Sequence, residues 1–356
     1  MKILLISNMY PSREFPFYGI FVKNFENQLV SEGFTINKVV IAGRSSSAIN
    51  KTLKYLKFSA DIFKKIVKDD YDLIYVHYAE HSLLPLVLLR KFIRKPLVIN
   101  AHGDDILYPS VISSIVTTTI KHSDLLVVPS DYFREIGRNK YNHRNIFVSP
   151  SGGVDMNLFK PAKNGNGKGH SIFTIGYVSR IDPGKGWDIL LDAAHFLKQK
   201  NLSFRVMMIG SGEESKMLVS KIQELGLSDT VDYLGAKPHE ELPNYFNRMD
   251  IFVFPSKGES LGLVGLEAMA CGVPVVGSNI GGLPSYIRSG INGKLFAPGN
   301  ARELAEKIEY FIITDKEIVK KYTDEALETA NRYDSIIVAK KMAEKLRELI
   351  EKNFFS

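Results

Sequence analysis

The chain has one cysteine, Cys271, in 356 residues. That excludes an intrachain disulfide or a cysteine metal cluster and favours a reducing, cytoplasmic compartment. Long apolar runs are missing as well. The longest, Leu83 to Leu89, is seven residues and contains Pro85, far short of the roughly 18 residues a membrane span needs. The opening MKILLISNMYPS turns polar at Ser7, too soon for the about 7–15 apolar residues of a signal peptide. It reads instead as a buried first strand. No His/Cys/Asp/Glu cluster stands at metal-ligand spacing, although Asp104 and Asp105 form an adjacent acidic pair. With 45% apolar and 24% charged residues, the composition is that of a folded protein. The length suits two domains better than one core.

Charge is unevenly spread. Residues 1–150 hold 20 Lys+Arg against 13 Asp+Glu, and the rest of the chain carries 26 of each. The whole excess of +7 therefore lies in the first half. An anionic partner for that half follows: nucleic acid, a membrane surface or a phosphorylated substrate. No nucleic-acid-binding motif accompanies it, so nucleic acid is set aside.

Short apolar runs alternate with longer amphipathic stretches. Strands are predicted at Lys2–Ser7, Ile36–Ala42, Leu73–Val76, Leu97–Asn100, Leu125–Val128 and Ile146–Val148. Helices are predicted at Gly19–Glu32, Thr52–Lys68, His81–Ile93, Ser110–Lys121 and Asp131–Asn139. Continuous apolar strands joined by helical crossovers indicate an open parallel sheet. The pattern breaks at KPAKNGNGKGH, residues 160–170, a linker composition. It then restarts with SIFTIGYV, FRVMMIG, VDYLG, DIFVFP and VPVVG, separated by helical stretches, and closes with helices from Ala301 to Lys352. The expected architecture is α/β: two Rossmann-like, doubly wound parallel-sheet domains facing a central cleft. The expected divisions are 1–160, 161–334, and a terminal helix, 335–356, packing back on the first domain.

Ligands of open α/β sheets bind just beyond the strand carboxyl ends, and chemistry-bearing residues follow several of these strands. After IFVFPS comes ESLGLVGLEAMA, with Glu259 in the loop, Gly262 and Leu263 at a helix start, and Glu267 one turn in. A helix N-terminus attracts phosphate, and carboxylates accept paired hydrogen bonds from sugar diols. In GYVSRIDPGKG, Arg180 and Lys185 flank a turn and can neutralise a diphosphate. In the first half, NAHGDDI puts His102 after a strand. His77 and His81 are ambiguous and can simply pack. Cys271, among apolar neighbours, reads as a small buried hydrophobe. The GxG of IGSGEE lacks the third glycine of a dinucleotide fingerprint.

Taken together, GYVSRIDPGKG, IGSGEE, ESLGLVGLEAMACGVPVVGS and GGLPSYIRSGINGKLFAPGN resemble the nucleotide-sugar half of family 4 retaining glycosyltransferases of GT-B fold. SNMYPSREFPFYGIFVKNFENQL and PSGGVD resemble that family's amino-terminal loop and inter-domain signature. The resemblance implies that Arg180 and Lys185 hold the donor diphosphate, Glu259 contacts the transferred sugar and Glu267 binds the ribose. It implies further that the amides of Gly262, Leu263 and Val264 face sugar or phosphate, that His102 contacts the donor sugar, and that Gly19 lets a helix approach the phosphates. Ser285 departs from the pattern, where the family usually carries a glutamate. No metal and no resident cofactor are implied; the nucleotide-diphosphate sugar, UDP- or GDP-linked, is a co-substrate.

The function so implied is hexosyl transfer with retention to a glycan, lipid-linked or small-molecule acceptor, in cell-surface polysaccharide or glycolipid synthesis. The alternatives are a GT-B nucleotide-sugar epimerase and a non-catalytic subunit of a glycan assembly complex; the intact Arg180, Lys185, Glu259 and Glu267 speak against the latter. Lys51–Lys68 carries six lysines interleaved with apolar residues. As a helix it would pack its apolar stripe on the sheet and offer lysines to anionic lipid. Arg90, Lys91, Arg94 and Lys95 form a second basic cluster. The expected location is cytoplasmic, peripheral on the inner membrane face.

Overall fold

The computed structural model describes residues 1–16, 18–44, 47–107, 111–162 and 172–354, with only the backbone of Asp104 and Phe354. In chain order the first unit contains β1 (Lys2–Tyr10), α1 (Ile20–Ser31), β2 (Thr35–Ala42), α2 (Ala48–Lys68), β3 (Leu73–His77) and α3 (Leu84–Leu89). It continues with β4 (Leu97–Asn100), α4 (Asp104–Leu107), α5 (Val111–Lys121), β5 (Leu125–Val128), α6 (Asp131–Tyr141) and β6 (Ile146–Val148). The second contains β7 (Phe173–Val178), α7 (Trp187–Gln199), β8 (Phe204–Ile209), α8 (Ser215–Glu224), β9 (Val231–Tyr233) and α9 (Leu242–Phe246). It closes with β10 (Ile251–Phe254), α10 (Leu263–Ala270), β11 (Val275–Ser278), β12 (Gly293–Phe296), α11 (Ala301–Ile313) and α12 (Lys316–Asn331). The last helix, α13 (Ser335–Phe354), returns to the first unit.

The first unit comprises residues up to Gly153 and from Ile336 on; the second spans Val154–Ser335. The division thus falls earlier than the expected 160/161. The cause is burial: Val154 and Phe159 are inside the second unit's core, and Asn247 takes hydrogen bonds with Lys160 and Ala162 on either side of the chain. The glycine-rich remainder of the expected linker, residues 163–170, lies outside the described residues. At its other end the second unit closes on itself. Val154 donates its amide to the Tyr333 carbonyl, and the Ser335 amide donates to Val154, both at 2.8 Å.

Each unit is built on a six-stranded sheet, ordered β2-β1-β3-β4-β5-β6 in the first and β12-β11-β10-β7-β8-β9 in the second. Every pairing is parallel. Central strands such as β3, β5 and β10 are buried along their whole length, as crossover helices on both faces require. In the first unit, one face buries Phe58, Ile62 and Ile66 of α2 with Leu86, Val116 and Ile120. The other buries Val22, Phe25 and Leu29 of α1 with Met342, Ala343, Leu346 and Ile350 of α13.

Some boundaries differ from expectation for local reasons. The helix predicted over 81–93 is shortened to α3, which has Pro85 in its first turn, and a 3-10 turn, Arg90–Phe92. The helix predicted from Lys185 starts at Trp187, because Gly186 caps it in a left-handed conformation. Strand β12 was not foreseen in the sequence: four residues with Gly293 at their head carry too little apolar signal.

Candidate active site

Strand order reverses between β7 and β10 in the second unit, the switch point where open α/β sheets bind ligands. The expected site residues of this unit, Arg180, Lys185, Glu259, Gly262, Leu263, Val264 and Glu267, follow β7 and β10. Lys185, in the turn after β7, places Nζ 3.2 Å from Oε2 of Glu259, in the loop after β10. Both side chains are largely covered. Arg180 is mostly exposed and pairs with Asp182 at 2.6 Å, not with either partner of the first pair. Asp182 also accepts the Glu213 amide, 3.1 Å away, which anchors the IGSGEE loop to the same turn.

Gly262 opens α10 with Leu263 and Val264, and no side chain caps the helix there. Its first amides are therefore available to an external acceptor. The loop is held from behind by Tyr286, whose buried hydroxyl donates to the Gly262 carbonyl at 3.1 Å. The Gly282 amide donates to the Glu259 carbonyl at 3.0 Å. Ser285, the departure from the expected pattern, lies in the adjoining 3-10 turn and bonds the Gly282 carbonyl. Glu267 is buried one turn into α10, and its Oε1 is 2.9 Å from Nε2 of His239. That hydrogen bond raises the affinity of His239 for its proton. Sequence reasoning missed His239, since a histidine between Pro238 and Glu240 carries no pattern. Cys271 follows α10, and burial pushes its thiol up to about 12, leaving it an inert hydrophobe.

The first unit has its own strand-end cluster. His102 follows β4, and its Nε2 is 2.9 Å from Nδ1 of His77, the last residue of β3. Phe21 lies 4.6 Å from the His102 ring, and Phe25 lies 4.6 Å from His77. Burial depresses both histidines, His102 to about 4, so both are neutral at pH 7. His77 keeps Nε2 buried without a hydrogen-bond partner among the described residues. His81 stands apart, against Tyr55 on α2.

Asp105, half of the acidic pair, is a backbone clamp. Its Oδ2 accepts the Ala79 amide at 2.7 Å, and Oδ1 accepts the amides of His102 and Gly103 at 2.9 Å. The carboxylate thereby ties the loop after β3 to the loop after β4. The Asp104 side chain lies outside the described residues. Among the described residues, no group of three or more His, Cys, Asp or Glu is arranged to hold a metal ion.

Gly19 has a local reason to be glycine. Its φ is +72°, and a Cβ there would stand 2.6 Å from the Met9 carbonyl carbon and the Tyr10 nitrogen. The start of α1 is thus pressed against the end of β1, which only a residue without a side chain allows.

Two six-stranded parallel-sheet units of this kind are those of the GT-B fold. Residues 160–329 match the model of the family Glycosyl transferases group 1, and residues 23–156 match that of Glycosyltransferase Family 4. The chain belongs to the family 4 glycosyltransferases. It is similar to an uncharacterized glycosyltransferase of Methanocaldococcus jannaschii, with 26% identity across 94% of each chain. It is 32% identical over 248 residues to D-inositol 3-phosphate glycosyltransferase of Corynebacterium urealyticum, covering 65% of this chain and 58% of that one. Among solved structures it resembles Anabaena HepE in complex with UDP, at a TM-score of 0.79 and 24% identity, covering 98% of this chain and 100% of that one.

Proposed function

We propose that the chain transfers a hexose from a UDP-linked sugar to an acceptor, with retention at the anomeric carbon and without a metal ion. The observation that carries this reading is the Lys185–Glu259 pair across the β7/β10 switch point, beside the uncapped start of α10. Lys185 and the α10 amides answer the charge of the departing diphosphate, and Arg180 adds its planar fork once it turns from Asp182. Glu259, already held by Lys185, presents its second oxygen to a sugar hydroxyl. Glu267 accepts from the ribose diol while His239 fixes its orientation. His102, neutral at pH 7, offers an imidazole nitrogen to the transferred sugar. Among the described residues we identify no side chain as a nucleophile, and retention is read as attack from the leaving-group face. UDP is favoured over GDP by the UDP complex of HepE.

The acceptor is a glycan or a lipid-linked glycan at an anionic membrane surface, in polysaccharide or glycolipid synthesis, with the enzyme peripheral on the cytoplasmic face. The basic excess of residues 1–150 supports this placement.

A thermal-shift screen against UDP-, GDP- and ADP-sugars tests the donor. A ligand at about 100 times its dissociation constant stabilises by about 2.7 kcal/mol. NMR of the product then reads the anomeric configuration. Absence of a shift with every nucleotide sugar overturns the donor site, and an inverted product overturns retention.

A further inference from the structure

Helix α2 carries two apolar stripes, and the fold uses one. Phe58, Ile62 and Ile66 are buried against the sheet. Ile49, Leu53, Leu56, Ala60, Phe63 and Val67 recur at alternating spacings of four and three, which places them along one line of a helix. All six are exposed, the five large ones by 49–74%. The stripe runs for roughly 27 Å at about 1.5 Å per residue. A single exposed leucine means nothing, but a contiguous apolar line of this length marks an interaction surface.

What flanks the stripe identifies its partner. On one side the surface deepens into an apolar groove of about 550 Å³, walled by Tyr55, Leu56 and Phe63 of α2 and by Leu84 and Leu88 of α3. Leu88 is 84% exposed at its rim. On the other side α2 and the edge strand β2 form a second groove lined by Lys38, Lys54, Lys57, Lys64 and Lys65, with Asp61 its one carboxylate. Helix α2 thus has six lysines against one aspartate. Pairing this helix with its copy in a second molecule would bring those lysines together, so the charge argues against a dimer. An apolar stripe bordered by lysines instead matches the boundary between the phosphates and acyl chains of an anionic leaflet.

We propose that α2 lies in the plane of an anionic bilayer, with its outer stripe and Leu88 inserted among acyl chains and the lysine flank on lipid phosphates. This deepens the membrane-proximal acceptor proposed above and rests on it for biological purpose only. The attachment is insertion, not surface charge alone, and that distinction is measurable.

The test sediments the full chain with vesicles of phosphatidylcholine, with or without phosphatidylglycerol, at about 0.1 M and about 1 M salt. Binding to the anionic vesicles is expected at low salt, with a fraction persisting at high salt. Leu56→Glu and, on a separate helix, Leu88→Glu should each lower binding about tenfold at both salts. Lys57→Gln with Lys64→Gln should weaken only the low-salt binding, about fivefold per charge removed. The donor-induced thermal shift, measured without vesicles, should stay unchanged in all three. It confirms folding and separates this inference from the catalytic one: loss of the shift in the wild type would sink the donor site and leave the membrane result standing. No binding to anionic vesicles overturns the proposal. So does binding that vanishes wholly at high salt, binding indifferent to both leucine variants, or a solution dimer that Leu56→Glu dissociates.

Discussion

Replacing Asp105 by asparagine should damage the first domain out of proportion to the single atom changed. The carboxylate satisfies three buried backbone donors from two loops. An asparagine oxygen can keep His102 and Gly103, but its amide nitrogen then faces the Ala79 N–H, donor against donor. One orphaned buried N–H costs about 1–3 kcal/mol, while the weaker neutral bonds to the other two amides are offset by relief of the buried charge. That cost is a substantial part of the roughly 5–15 kcal/mol typical of a domain. In urea it corresponds to a midpoint lower by about 0.5–1.5 M. The only tryptophan, Trp187, lies in the second unit. Far-UV dichroism should therefore show an early transition that tryptophan fluorescence does not follow. A second readout comes from pH. Burial raises Asp105 to about 6 from its ordinary 3.8, so the folded chain binds this proton first, and the group's contribution grows as pH falls from 6 to 4. His77 and His102 are depressed below 6.5, so the unfolded chain takes their protons first, and stability falls over the same window. In the wild type, two histidine protons oppose one aspartate proton. In Asp105→Asn the opposition is gone, and the slope below pH 6 should steepen by about 1.4 kcal/mol per pH unit. An unchanged midpoint at pH 7 together with an unchanged slope would refute the clamp.

Arg180→Ala and Glu267→Ala should fold normally yet lose roughly 10²–10³-fold in transfer rate; near-normal turnover in both purified variants would remove the donor-site assignment. Transfer should survive EDTA, because Lys185, Arg180 and a helix start meet the phosphate charge; loss on chelation with rescue by magnesium or manganese would show that those groups are insufficient. Gly186→Ala should destabilise the second domain by about 2–4 kcal/mol in chemical denaturation. At its φ of +73° the new Cβ would stand 2.0 Å from the Pro255 carbonyl oxygen. The same variant should weaken the donor-induced thermal shift, since Lys185 is its neighbour, and wild-type stability would mean the turn relaxes freely.

The sheets were legible because their strands are buried on both faces and so read as unbroken apolar runs, as LLVV at β5 does. The donor residues were legible because strand-end turns concentrate glycine and charge in short segments. Pairings across sequence were not. Nothing in the sequence ties Asp105 to Ala79, or Glu267 to His239, because each contact joins separate elements that only the folded topology brings together. Periodicity was incomplete at α2. It predicts an apolar stripe packed inward, as Phe58, Ile62 and Ile66 are, but a helix with two stripes satisfies the same periodicity twice, and only packing shows which is spare.

The discontinuity of the first unit bears on the order in which the protein can mature. Residues 154–335 form one contiguous span whose ends pair with each other, so this unit can close as soon as it leaves the ribosome. The first unit was begun earlier, yet one face of its sheet waits for Met342, Ala343, Leu346 and Ile350. During synthesis that face stays open until α13 emerges, exposing Val22, Phe25 and Leu29 to whatever apolar surface is nearby. Truncation just before α13 would leave this layer permanently uncovered. The unit that starts before the other is completed after it, and chaperone dependence should track the presence of α13.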